Sequence, residues 1–212
     1  MNPLDAHSII TTLGLVGILV ILFMETGLLI GLIFPGDSLL FLAGIGASTA
    51  AANVFDGVQL SLTGLLIGAP LAAIVGSQLG HWIGAKYGRK LFDRPDGRFF
   101  NHDRVLATEK WLRKYGEGKA IVLARFVPFV RTLINPMCGV VHIPAKRFFF
   151  WNVIGAVIWT DGLIIAGYFL GERVSGSVDK YLLPIIGLII LISLIPLLIE
   201  VFREWRTRKH LS

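Results

Sequence analysis

The sequence predicts an all-α polytopic membrane protein with about four spanning helices and two opposed re-entrant helical hairpins. Three observations predict it. Apolar runs of roughly 17 residues or more, the length a bilayer crossing needs, recur along a chain that is 54% hydrophobic with a mean hydropathy of +0.71. Four charged residues, Glu25, Asp37, Arg125 and Arg131, sit inside such runs, where each unpaired arginine costs roughly 2.5–3.5 kcal/mol on insertion scales. Proline and glycine interrupt the same two stretches: Pro35-Gly36 lies between the acids, Pro128 between the arginines, and Pro136 and Gly139 follow.

Composition narrows the function classes. The single Cys138 excludes an internal disulfide and a cysteine metal cluster. The formal net charge of +6 is concentrated in Lys86–Lys119 and Arg203–Lys209, beside apolar runs. That is the positive-inside pattern and places both segments in the cytoplasm. Nucleic acid is not an expected partner, because aromatic interleaving is sparse and acids dilute the bases. No spaced Ser/His/Asp set or acidic metal motif stands out, so neither a cofactor nor an enzyme is expected.

The elements follow in order. Ile9–Met24 reads as a retained spanning helix; it has neither a basic leader nor a small-residue cleavage site. In a straight helix Glu25 and Asp37 would stand about 18 Å apart. Pro35 removes a backbone donor and disfavours helix before it, and Gly36 permits a turn. A re-entrant hairpin over about 25–48 would bring the acids together, and irregular backbone at that depth must be buried in protein or line a wet cavity. An ordinary kinked spanning helix is the alternative. Residues 47–59 carry no Lys or Arg and are placed outside. Leu60–Ile83 is the second spanning helix, and Gly76, Gly80, Gly84 and Gly88 form a stripe for close helix approach. Static packing is the favoured reading of that stripe, as a packed or hydrogen-bonded side chain is of His81.

Residues 84–118 form a charged cytoplasmic connector with a turn at Arg94–Gly97 and a surface helix over His102–Tyr115. A second hairpin is expected over about 119–143. Lys146–Leu170, opened by an aromatic belt, is the third spanning helix and carries Asn152 and Asp161 as accessory candidates. Tyr181–Phe202 is the fourth, and residues 203–212 are a cytoplasmic tail. The whole is one membrane domain, 1–212, whose halves 9–83 and 119–202 suggest a pseudo inverted repeat of the kind transporters use. No residue-level repeat is visible.

Placed at one site, the four charges sum to zero when ionised. Protonating either acid leaves a positive, low-dielectric pocket suited to a phosphate group, for which arginine supplies planar donors. Burial favours a neutral carboxyl and a nearby arginine an ionised one, so proton and anion binding are expected to be linked. Two purely structural ion pairs are the competing reading, which does not need interrupted backbone.

These residues carry a resemblance. Glu25, then Asp37 within Phe34-Pro35-Gly36-Asp37-Ser38-Leu39-Leu40, resembles the first signature of the DedA family, whose members share the VTT domain. Arg125-Phe126-Val127-Pro128-Phe129-Val130-Arg131-Thr132, Gly139, and Phe149 to Trp159 with Asn152, Gly155 and Ala156 are similar to its second signature. The match covers about Met24 to Leu170. The glycine stripe departs in part, since many relatives carry an aromatic where His81 stands and a base where Ala85 stands.

The resemblance implies that Arg125 and Arg131 hold a lipid phosphate and that Glu25 and Asp37 couple protons. It also implies opposed hairpins and a bacterial inner-membrane location. The expected function is a proton-motive-force-dependent lipid translocase for a polyisoprenyl phosphate such as undecaprenyl phosphate. A phosphatidylethanolamine flippase or scramblase and a proton-coupled cation or drug antiporter are the alternatives. The expected partners are an anionic membrane lipid and protons. The oligomeric state is left open, a homodimer included.

Overall fold

The computed structural model describes residues 6–28, 36–49, 51, 59–92 and 102–174. Seven helices are described: α1 (Ala6–Gly27), α2 (Gly36–Gly46), α3 (Leu62–Phe92), α4 (His102–Tyr115), α5 (Glu117–Ala124), α6 (Pro128–Val140) and α7 (Ala145–Val174). No strand occurs among the described residues. Two helices are long and apolar enough to cross a membrane, over Leu62–Gly88 and Ala145–Arg173. The helix expected over Tyr181–Phe202, the tail 203–212 and the break at Pro35 lie outside the described residues.

Two apolar clusters organise the packing. Leu22, Leu40, Leu65, Ala69, Ile74, Trp159 and Ile164 join α1, α2, α3 and α7. Leu112, Ile121, Ala124, Ile134, Cys138, Ile143 and Phe148 join α4, α5, α6 and the start of α7. The outer face stays apolar: Ile67, Leu71 and Val75, spaced at four residues on α3, are 59%, 55% and 56% exposed. A contiguous apolar row of this kind suits lipid rather than water.

The glycine stripe on α3 is a close-packing surface. Gly76 lies against the backbone at Phe23 and the Thr26 side chain of α1, whereas Gly84 lies against the backbone of Pro136 and Gly88 against Val140 of α6. One small-residue row thus seats both α1 and α6. Gly84→Val should lower detergent-solubilised stability by about 1–3 kcal/mol through overpacking. Gly17→Ala, where an added methyl meets nothing within 4 Å, should gain up to about 1 kcal/mol from helix propensity. Thermal melting of the two variants checks the contrast.

Several expectations need correction. Helix α1 runs through Glu25 to Gly27, so Glu25 stands on its last turn and not on a separate hairpin arm. Helix α3 continues to Phe92, past the expected end at Ile83 and into the segment expected to be connector. Pro136 is not a break: α6 passes through it from Pro128 to Val140. The chain turns instead at His142, whose φ is 59°, a left-handed value that histidine tolerates better than most side chains. The Ile143 N–H donates back to the Cys138 carbonyl at 2.9 Å and the His142 N–H to Gly139 at 3.1 Å. This is a Schellman closure built without glycine.

The helix is interrupted before Pro128. Proline disfavours helix in the residue before it, and Val127 is extended with φ −112° and ψ 105°. Helix α5 therefore ends at Ala124, and α6 restarts with proline in its first turn, where no donor is lost. The interruption leaves Arg125, Phe126 and Val127 in a turn between two short helices.

Candidate functional site

That turn delivers Arg125 into the interior at 2% exposure, and Arg131 follows it one turn into α6 at 6%. From the opposite half of the chain come Glu25, on the last turn of α1, and Asp37, in the first turn of α2. The structure thus brings together four charged residues separated by up to 106 positions.

They do not form two equivalent pairs. Arg131 takes both acids: its Nη2 donates to Glu25 Oε1 at 2.6 Å and its Nη1 donates to Asp37 Oδ1. The Glu25 side chain is 2% exposed and that of Asp37 41%, so Asp37 is the member open to the surroundings. A side chain at position 36, where α2 begins, would collide with the Glu25 carboxylate, which is the local reason for glycine there. The other carboxylate oxygen of Glu25, Oε2, is buried with no hydrogen-bond partner among the described residues.

Arg125 is paired with no acid among the described residues, which corrects the picture of two structural ion pairs. Its Nη2 donates to Ser77 Oγ at 2.9 Å and to Asn152 Oδ1. Its Nε and Nη1 are buried without a partner among the described residues. Gly155 on α7 makes room for the side chain, because an added Cβ would strike Arg125 Cδ.

Neutral groups complete the frame. Asn152 Nδ2 donates to the Ile74 carbonyl at 3.1 Å. Asn135 Nδ2 donates to the Thr26 carbonyl at 3.1 Å and to Ser77 Oγ at 3.2 Å. Trp159 lies beneath both guanidinium groups, 4.5 Å from Arg131 Cζ and 5.9 Å from Arg125 Cζ. Such stacking is favourable and stronger where water is excluded. Its Nε1 donates to Asp37 Oδ1 at 2.8 Å.

Of the accessory candidates, only Asn152 joins this cluster. His81 bonds through Nε2 to the Ile143 carbonyl at 2.9 Å and stacks on Phe148 at 4.6 Å, so it anchors the turn after α6. Asp161 is partly exposed and accepts from Thr160 Oγ1 at 3.2 Å. Pro35 lies outside the described residues. Ser77, Asn135 and Trp159 join the cluster although no pattern in the sequence marks them as site residues. Ser77 sits beside Gly76 in the stripe, Asn135 beside Pro136, and Trp159 ends the second signature stretch without being singled out as a site residue.

Residues 11–169 match the VTT domain. The chain belongs to the VTT domain family. It is 41% identical over 188 residues to Protein DedA of Escherichia coli K12, covering 88% of this chain and 81% of that protein. It is 36% identical over 210 residues to an uncharacterized membrane protein of Mycobacterium tuberculosis H37Rv, covering 99% and 88% of the two chains. A Mycobacterium leprae membrane protein, also uncharacterized, is 33% identical over 194 residues, covering 91% and 81% of the two chains. No solved structure matches the chain. This VTT protein is a membrane protein, and its family suggests a membrane transport role.

Proposed function

We propose that this VTT-family protein is a proton-motive-force-dependent lipid translocase of the bacterial inner membrane. Its substrate is a polyisoprenyl phosphate such as undecaprenyl phosphate, carried between leaflets for cell-envelope synthesis. The observation that carries the reading is Arg125, a buried guanidinium with Nε and Nη1 unpartnered among the described residues, beside a second buried arginine. An uncompensated buried cation is costly, and an anion that brings its own oxygens would relieve that cost. A phosphate carries about −1.5 to −2 charge at neutral pH and matches the planar donors of arginine.

In this reading Arg125 and Arg131 hold the headgroup while the hydrocarbon tail stays in the bilayer. Glu25 and Asp37 hold Arg131 at rest, and protonation of either loosens that hold. Carboxylate and phosphate then compete for one guanidinium, and proton binding and phosphate binding are linked through it. The short helices support the opposed re-entrant arrangement: α5 is about 12 Å long and α6 about 20 Å, each less than the roughly 30 Å hydrocarbon core. The pseudo inverted repeat, the four spans and the cytoplasmic C-terminus belong to the same proposal.

Purified protein in liposomes should exchange polyprenyl phosphate between leaflets several-fold faster with a proton gradient than without it. Exchange unaffected by the gradient would remove proton coupling. Movement of phosphatidylethanolamine in place of the polyprenyl phosphate would change the cargo, and cation-dependent proton flux without lipid would favour an antiporter.

A further inference from the structure

The resting cluster holds an anion of its own. Asp37 Oδ1 accepts from two donors at once, Arg131 Nη1 and Trp159 Nε1. Asp37 is also the only member of the charge cluster whose side chain is substantially open, and it stands at the start of α2 and not in the frame around the arginines. Among the described residues, the groups facing it are Arg131 and Glu25, already joined to each other, and the indole of Trp159; Arg125 Cζ is 5.9 Å from the centre of that ring. Once the Asp37 carboxylate withdraws, Arg131 Nη1 and the indole N–H are both released. They point at the place the oxygen left, and the Nε and Nη1 of Arg125, whose Cζ lies 5.9 Å from the centre of the same ring, have no partner among the described residues.

We infer that Asp37 is the resident occupant of an anion subsite and that Trp159 is a direct ligand of the phosphate that replaces it. The indole N–H, donated to the carboxylate at rest, is donated to a headgroup oxygen in the loaded state. Trp159 thereby discriminates for headgroups that bring an acceptor oxygen, such as phosphates, and against quaternary ammonium groups, which bring none there. The inference rests on the lipid-phosphate reading and adds to it a ligand that neither arginine supplies.

The test follows the Trp159 N–H itself. The chain has five tryptophans, so indole ¹⁵N labelling gives few signals, and Trp159→Phe identifies the one that belongs to Trp159 while keeping an aromatic ring beneath Arg131. Dodecyl phosphate is titrated into the detergent-solubilised natural chain and into Asp37→Asn, with dodecyl trimethylammonium as the control. The Trp159 signal should shift saturably with the phosphate, at lower concentration in Asp37→Asn, and not with the ammonium. In liposomes, Trp159→Phe should raise the apparent KM for polyprenyl phosphate about 3- to 10-fold, the worth of one hydrogen bond, with a smaller change in kcat.

A natural chain that moves polyprenyl phosphate while its Trp159 signal ignores dodecyl phosphate, with KM unchanged in Trp159→Phe, overturns the role of Trp159 alone. Dodecyl phosphate that binds neither the natural chain nor Asp37→Asn overturns the phosphate reading, and this inference with it.

Discussion

Arg125→Met is expected to leave the fold at least as stable as the natural chain while abolishing lipid movement. The physical balance favours this outcome. Arg125 is 2% exposed and bonded to neutral groups only among the described residues. Removing a buried cation relieves a desolvation cost of several kcal/mol, and methionine fills irregular space well. Against that gain, Asn152 Oδ1 loses a donor, at roughly 1–3 kcal/mol. Ser77 keeps the Asn135 amide. The sum is a neutral to modestly stabilising change, read as an unchanged or raised melting temperature in detergent. Transport should fall below detection, because the unpartnered nitrogens that an anion would meet are gone. A variant that melts normally and carries nothing marks a residue retained for function.

Arg131→Ala should behave in the opposite way, as a folding defect. The substitution strands the Glu25 carboxylate, whose side chain is 2% exposed and whose Oε2 already has no hydrogen-bond partner among the described residues. Breaking a buried pair by deleting one partner costs about 3–5 kcal/mol. Most of that loss should return in the double variant Glu25→Gln/Arg131→Ala, since a neutral amide tolerates the site better than a lone carboxylate. Asp37 contributes less, because its exposed side chain can be solvated. Fluorescence-detected gel filtration after a heat step would resolve the single and double variants. Neither should move lipid. Rescue of folding without rescue of transport separates the two roles of Arg131.

Much of this centre is legible in the sequence. Charges inside apolar runs are expensive enough to demand explanation, so Glu25, Asp37, Arg125 and Arg131 stand out from residue order alone. Pro128 has a local, backbone-level effect, and residues 125–127 before it are a turn between α5 and α6. The helix over His102–Tyr115 has the bounds that its sequence suggests. Pro136 misleads because a proline inside a helix costs one hydrogen bond and a local distortion, and the surrounding contacts with α3 maintain the helix through it. The actual stop depends on His142 accepting a left-handed conformation, which composition does not announce. Trp159, Ser77 and Asn135 are hidden for a different reason. Each is an ordinary residue for its helix, and its importance comes from what a distant segment places against it. The partition of charge is likewise tertiary: spacing puts two acids near two bases, but only the packing of α1, α2 and α6 assigns both acids to Arg131.

The most direct test of the central claim, that the buried arginines read a phosphate, is leaflet exchange of a matched lipid pair in proteoliposomes. A fluorescent polyprenyl phosphate and the same polyprenol without its phosphate are followed under one proton gradient. Protein-dependent movement of the phosphate, with the alcohol left at the protein-free rate, is the predicted result. Equal acceleration of both lipids would contradict it, because a site built on two buried guanidinium groups has no reason to carry a neutral headgroup.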